Sequence, residues 1–433
     1  MRALDDDLMM DQAFRRLLVL FSRQTLTWEG FLNQPLPPGM SATATWELLH
    51  ALGRDMGVPV PIPDLDGNEY WYRRPYHLTD TANAVGCACR TGSRLQRIMN
   101  SAESRHFLLS LRIGEMIASA RLDGLEISAA DARAMVRCTR QPKTPIERLV
   151  FNIVGLSNRV DDYLGRRFSI ELFREFAAIL LEGVDADALP RTRPPLGIIA
   201  LEYDDERIRG TEERQMTYIA AYANHEAGDD FDLPVLRALL LPDVFQLYRP
   251  VGKVSTQVGR LVGQLYALKH DLPVLSLLPI SQAKLDFETG RIAAPDVCMD
   301  LEEYKVLVVR APGDATPHHA LEAELAMLTL RAVEREATAW ERRDREIREI
   351  LRREPLLNQR QRSILHRAMR SPDAEFRIRY HQRNHSIAYT TARRDLLELA
   401  DKGYLKQELR GKAFVFVPAP ALNRVVGGGH PSE

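Results

Sequence analysis

The sequence predicts a mainly α-helical chain. A helical core leads into one long connecting helix, and a small module of helices closed by a β-hairpin follows it. Three observations carry this. Apolar residues recur at helical spacing, as in Leu108, Leu109, Leu111, Ile113, Met116 and Ile117. Helix-start signals precede such runs: Thr144-Pro145-x-Glu147 reads as a cap with proline in the first turn, and Ser169 caps a helix beginning at Ile170-Glu171. Strand signals are few; the best before the C-terminus is Gly197 to Tyr203, which follows Pro194-Pro195 and reads as an exposed flap hairpin.

In chain order, residues 1–83 form an N-terminal region. Trp28, Trp46, Trp71, Tyr70 and Tyr72 concentrate there, with loops at Pro35 to Gly39 and Pro59 to Asn68. The helical core is expected over 84–310. The connecting segment, 311–355, contains one helix from His319 to Arg353, apolar at first and then dense in Glu and Arg at i,i+4 spacing, with Pro355 as its stop. The C-terminal module covers 356–420, and 421–433, rich in glycine, is a frayed tail.

Composition narrows the function classes. The chain has 433 residues, enough for about three domains. Its formal net charge of -1 argues against generic polyanion binding by the molecule as a whole. The apolar run Leu17 to Phe21 is too short for a signal segment or a membrane span, so a cytoplasmic chain without a membrane partner is expected. Cys87, Cys89, Cys138 and Cys298 have no zinc-site spacing, and they read as reduced thiols. No metal-ligand set is read from the sequence.

The most informative stretch is Phe245 to Pro279, FQLYRPVGKVSTQVGRLVGQLYALKHDLPVLSLLP. It resembles a degenerate form of the Fic-family signature, His-Pro-Phe-x-Asp/Glu-Gly-Asn-Gly-Arg-x-x-Arg. Pro250 takes the proline position, and Gly259-Arg260-Leu261 matches the end of the motif. The resemblance implies a Fic-like helical core with ATP as the cofactor and AMP transfer to a protein hydroxyl as the reaction. That reaction needs a positioned base and a carboxylate for magnesium. Arg249 stands at the histidine position, and an arginine stays protonated. Lys253 stands at the carboxylate position and would repel the ion. No catalytic residue is therefore assigned, and the residues alone demand no cofactor.

The stretch Val254-Ser255-Thr256-Gln257 replaces Gly-Asn-Gly-Arg, so both phosphate-wrapping glycines are gone. Lys253, Ser255, Thr256, Gln257, Gly259 and Arg260 remain as a candidate nucleotide or anion site at a helix N-terminus. Ser119-Ala120-Arg121-Leu122-Asp123-Gly124 resembles the family's inhibitory helix. The resemblance implies that Ser119, Asp123 and Gly124 are autoinhibitory and that Asp123 pairs with Arg260.

The C-terminal module reads as a winged helix-turn-helix. A first helix spans Gln359 to Met369, and a second segment runs to His385. Ser386 caps a third helix over Ile387 to Lys402, with Ala388, Ala392, Leu396 and Leu399 inward and Gly403 beyond its end. Tyr404 to Gln407 and Phe414 to Val417 pair as the wing. The run Thr390 to Leu396 resembles the recognition helix of bacterial winged-helix regulators. Residues 357–420 hold 13 basic against 6 acidic side chains, a local excess that suits phosphate contact. Thr390, Arg393 and Arg394 on the helix and Arg410 and Lys412 on the wing are the candidate DNA contacts.

The reading that follows is a degenerate Fic-like regulator that binds DNA. One alternative is a nucleotidyl or phosphoryl transferase acting on a protein through a non-standard base such as His270 or Asp271. Another is a protein-interaction scaffold using the aromatic N-terminal region, and a homodimer is a further expectation.

Overall fold

A computed structural model describes residues 6–63, 67–101, 104–190, 210–226, 233–294, 299–370, 374–410, 413–420 and 422. The chain is mainly helical, as expected, with two short hairpins among the described residues. The expected flap strand, Gly197 to Tyr203, lies outside the described residues. No described helix is long and apolar enough to cross a membrane.

Two compact units divide at Val333 and Glu334, inside the long helix Thr316–Arg352. The expected connecting segment thus contributes to both units. The helix also starts before His319, because Pro317 occupies its first turn, where a missing N–H costs nothing.

Residues 1–83 share a core with the rest of the first unit. Phe14, Phe31, Trp46 and Leu49 pack with Phe287, Tyr304, Leu307 and Leu321 in one cluster. The loop read at Pro59 to Asn68 begins as a strand: Val58–Val60 pairs antiparallel with Tyr70–Tyr72. That hairpin is fixed in turn by a parallel bridge, with Trp71 N donating to Gly313 O at 3.0 Å and Ala315 N to Trp71 O at 2.7 Å. The strands are only three residues long, too short to show alternation in the sequence.

The centre of this unit is the helix pair Pro234–Tyr248 and Ser255–Lys269. The first is buried on nearly every side, as its continuous apolar run requires. The second lies close against it because Gly259 and Gly263 share one face. A Cβ on Gly259 would stand 2.5 Å from Phe245 Cβ, and one on Gly263 would stand 2.9 Å from Ala238 O. Pro242 leaves the Ala238 carbonyl without its helical N–H donor, so the backbone is open where Gly263 approaches.

The caps read from sequence are present. Thr144 and Ser169 accept the backbone N–H of Glu147 and Leu172 at 3.1 and 3.2 Å.

The second unit holds helices Gln359–Arg370, Ile378–His385 and Tyr389–Asp401, then strands Leu405–Arg410 and Ala413–Pro418. Leu405 pairs with Pro418 and Arg410 with Ala413, and Phe376 bridges Phe416 from the other side. Ile364, Leu365, Leu396, Leu399, Leu405 and Phe416 share its core. Ser386 does not cap the third helix. It adopts a left-handed conformation, φ 52°, that ends the second helix, and the third begins after Ala388. Ala388 is accordingly exposed, not inward. Gly403 ends the third helix at φ 74°, and Tyr404 N reaches back to Leu399 O at 2.9 Å.

Candidate functional site

The chain between the two central helices carries the motif. Arg249 closes the first helix in a left-handed conformation, φ 44°, uncommon for a residue with a Cβ. A guanidinium here offers no lone pair to accept a proton. Lys253 reaches a neighbouring turn. Its ammonium donates to the carbonyls of Ala186 and Leu189 at 2.9 and 3.0 Å, and to Asp187 O at 3.3 Å. It therefore fastens that turn, where the sequence reading had expected an anion ligand.

Ser255 is buried, and its hydroxyl accepts the N–H of Val251 at 3.0 Å, which fixes the turn into the second helix. Gly259, also expected in the anion set, faces Phe245 inside the helix crossing. Thr256 and Gln257 are buried in the first turn, and Thr256 Oγ1 and Gln257 Oε1 have no hydrogen-bond partner among the described residues.

Asp123, at the end of helix Arg105–Leu122, meets Arg260 as the sequence reading expected. Arg260 Nη1 and Nη2 donate to the two carboxylate oxygens at 2.6 and 2.8 Å. Gln257 Nε2 adds a third bond at 2.7 Å, and this fixes the amide so that Oε1 is the free end. Asp123 is 3% exposed, and its backbone turn is completed by Gly124 at φ 73°. Ser119 is buried one turn earlier, with its hydroxyl on Met116 O. Burial works against the Arg260 charge, but the adjoining Asp123, with Glu115 and Asp243, raises the guanidinium above its usual range. The shorter aspartate side chain does not prevent a bidentate pair.

This pair lines a cavity of about 230 Å³. On the same cavity stands a second charged group that the sequence reading missed. Lys284 reaches Asp243 Oδ1 at 2.9 Å and Glu322 Oε2 at 2.8 Å, while His318 Nε2 lies 3.2 Å from Asp243 Oδ2 and Nδ1 lies 2.9 Å from the Tyr304 hydroxyl. Burial would raise the Asp243 carboxyl, but Lys284 and His318 hold it down at about 2. The only local signal was the i,i+4 spacing of His318 and Glu322; Asp243 and Lys284 come from other helices.

His270 and Asp271, the alternative bases, follow the far end of the second helix. Fifteen residues at 1.5 Å rise put them roughly 20 Å from the motif turn. There Tyr266 stacks on His270 with ring centroids 4.1 Å apart. Burial, with His225, Arg237 and Lys269 nearby, pushes the His270 imidazole down to about 4. Neither residue can serve the motif turn as a base.

In the second unit, helix Tyr389–Asp401 turns two faces in different directions. Ala392, Asp395, Leu396 and Leu399 are buried, whereas Thr390, Arg393 and Arg394 are exposed. Asp395 anchors the inner face: it accepts Asn358 Nδ2 at 3.0 Å, Arg360 Nε at 2.7 Å and Arg360 Nη2 at 3.1 Å, and it lies 3.1 Å from His381 Nε2. Arg410 closes the first strand, and Lys412 lies outside the described residues.

The chain matches no model of a known protein family and no curated protein sequence.

Proposed function

We propose that this chain is a degenerate Fic-like protein whose C-terminal winged helix binds duplex DNA, a regulator and not an AMP transferase. The observation that carries this reading is the outer face of helix Tyr389–Asp401. It presents Thr390, Arg393 and Arg394 to solvent, while Asp395 and the leucines hold the opposite face in place. A rigid helix with exposed arginines in a basic unit has the form needed to enter a major groove.

The core supports the non-catalytic half of the reading. Arg249 cannot act as a base, Lys253 is spent on three carbonyls, and His270 is too distant. The Asp123–Arg260 pair supports the Fic-like half, because it joins the two segments that the resemblance says should meet. The Thr256 hydroxyl, and the Gln257 Nε2 and Arg260 donors that now hold Asp123, would face a nucleotide phosphate if Asp123 withdrew.

The test is a titration of the full chain into a labelled duplex of mixed sequence at several salt concentrations. Binding that weakens linearly in log–log form with salt is expected. Absence of binding even at low salt rejects the DNA reading.

A further inference from the structure

We propose that Asp243, His318 and Glu322 form a site for one first-row divalent cation, Mn²⁺, Fe²⁺ or Zn²⁺, which the fold closes with its own Lys284. This goes beyond the DNA reading and does not depend on it.

His318 and Glu322 are four residues apart at the start of one helix, which sets them on one face. Asp243 comes from the buried central helix. One ligand atom from each of the three lies within 4.8 Å of the others. All three residues are buried, at 6%, 8% and 4% exposure, so the convergence is built in and does not arise from chance on a solvated face.

Two further observations point to a metal ion. The first is the orientation of the imidazole. The Tyr304 hydroxyl sits 2.9 Å from His318 Nδ1, and Nε2 faces the carboxylates. A partner on the outer nitrogen is what fixes the ring of a ligating histidine. The second is charge. One ammonium is shared between two buried carboxylates, 2.9 Å from Asp243 Oδ1 and 2.8 Å from Glu322 Oε2. A divalent ion would match both carboxylates where Lys284 matches one. The imidazole donor favours the first-row ions over magnesium or calcium, which prefer all-oxygen sets.

Lys284 has somewhere to go, because it lines the same cavity of about 230 Å³. Its helix, Ile280–Glu288, also carries Ser281, whose hydroxyl and N–H both bond Glu115. Glu115 belongs to the helix that ends at Asp123. Exchange of Lys284 for a metal therefore acts on an element joined to the Asp123–Arg260 pair.

The test is equilibrium dialysis of the full chain against Mn²⁺ and against Zn²⁺, with bound metal measured per chain. The wild type should take up one equivalent. Lys284→Met, freed of the competing ammonium, should bind at least about 10-fold more tightly. His318→Ala should lose that equivalent. Tyr304→Phe removes one hydroxyl only and should weaken affinity by about 10–100-fold, as loss of a partner to a ligating histidine does; it gives an answer even if Lys284→Met fails to fold. A Co²⁺-loaded wild type should show visible absorption that His318→Ala lacks. No stoichiometric uptake by the wild type, uptake by Lys284→Met alone, or uptake unaffected by His318→Ala would each overturn the site.

Discussion

Asp123 and Arg260 stand 137 positions apart and meet through two parallel N–H···O bonds, with Gln257 adding a third. Removing one partner of such a pair leaves a buried charge unmatched, at a cost of about 3–5 kcal/mol. Arg260 keeps 24% of its side chain exposed, so the lower end, about 3 kcal/mol, is expected for Asp123→Ala. Chemical denaturation measures this. If the pair also gates an anion site, the same variant gains ATP binding by calorimetry. Gain only with magnesium would return the core to the enzymes. Destabilisation with no binding in either buffer would make the pair purely structural.

Gly259 tests the helix crossing. Adding a methyl group in Gly259→Ala drives a Cβ to 2.5 Å from Phe245 Cβ and 3.0 Å from Pro242 O. The helices must part, and a loss of about 1–3 kcal/mol is expected. Stability equal to wild type would mean the two helices are not packed this closely.

Arg393→Ala with Arg394→Ala examines the DNA reading at its contact residues. Both side chains are exposed, so the fold should be unaffected. Each lost phosphate contact lowers the log–log salt slope by about 0.9. A slope reduced by up to about 2, with weaker affinity, is expected in anisotropy titrations. Unchanged affinity and slope would remove this helix from the interface.

Asp395 gives the second unit an acid limit. Burial would raise its carboxyl, but Arg360, His381 and Asn358 together hold it below the usual range. Its folded pKa is thus depressed relative to an unfolded value near about 3.9. The sign follows from linkage: the stabilisation is complete above the unfolded pKa and is lost as pH falls through the folded one. Urea melts of the full chain from pH 6 to 2, followed by a probe in the second unit, should show this loss, and Asp395→Asn should flatten it. Equal pH dependence in the two chains would reject the assignment.

Local chemistry was legible in the sequence. The caps Thr144 and Ser169, the left-handed glycine Gly403 and the hairpin over 405–418 depend on residues a few positions apart, and the expected elements formed. Ser386 failed because a serine near a helix boundary can end one helix as readily as start the next. The backbone conformation decides between these, and residue identity does not. The short hairpin at 58–72 was missed because its hydrogen bonds continue to Gly313 and Ala315, far along the chain.

The sequence by itself determined the helical character and the basic C-terminal unit, which follow from periodicity and charge. The pairing of Asp123 with Arg260 was expected only from a resemblance, not from periodicity or charge. Only the tertiary structure decided that Lys253 ends on three carbonyls, that Gly259 serves packing, and that Asp243, Lys284, His318 and Glu322 converge. Those outcomes depend on which helices cross and how closely. Crossing is set by the summed burial of many apolar side chains, and no spacing along the chain records it.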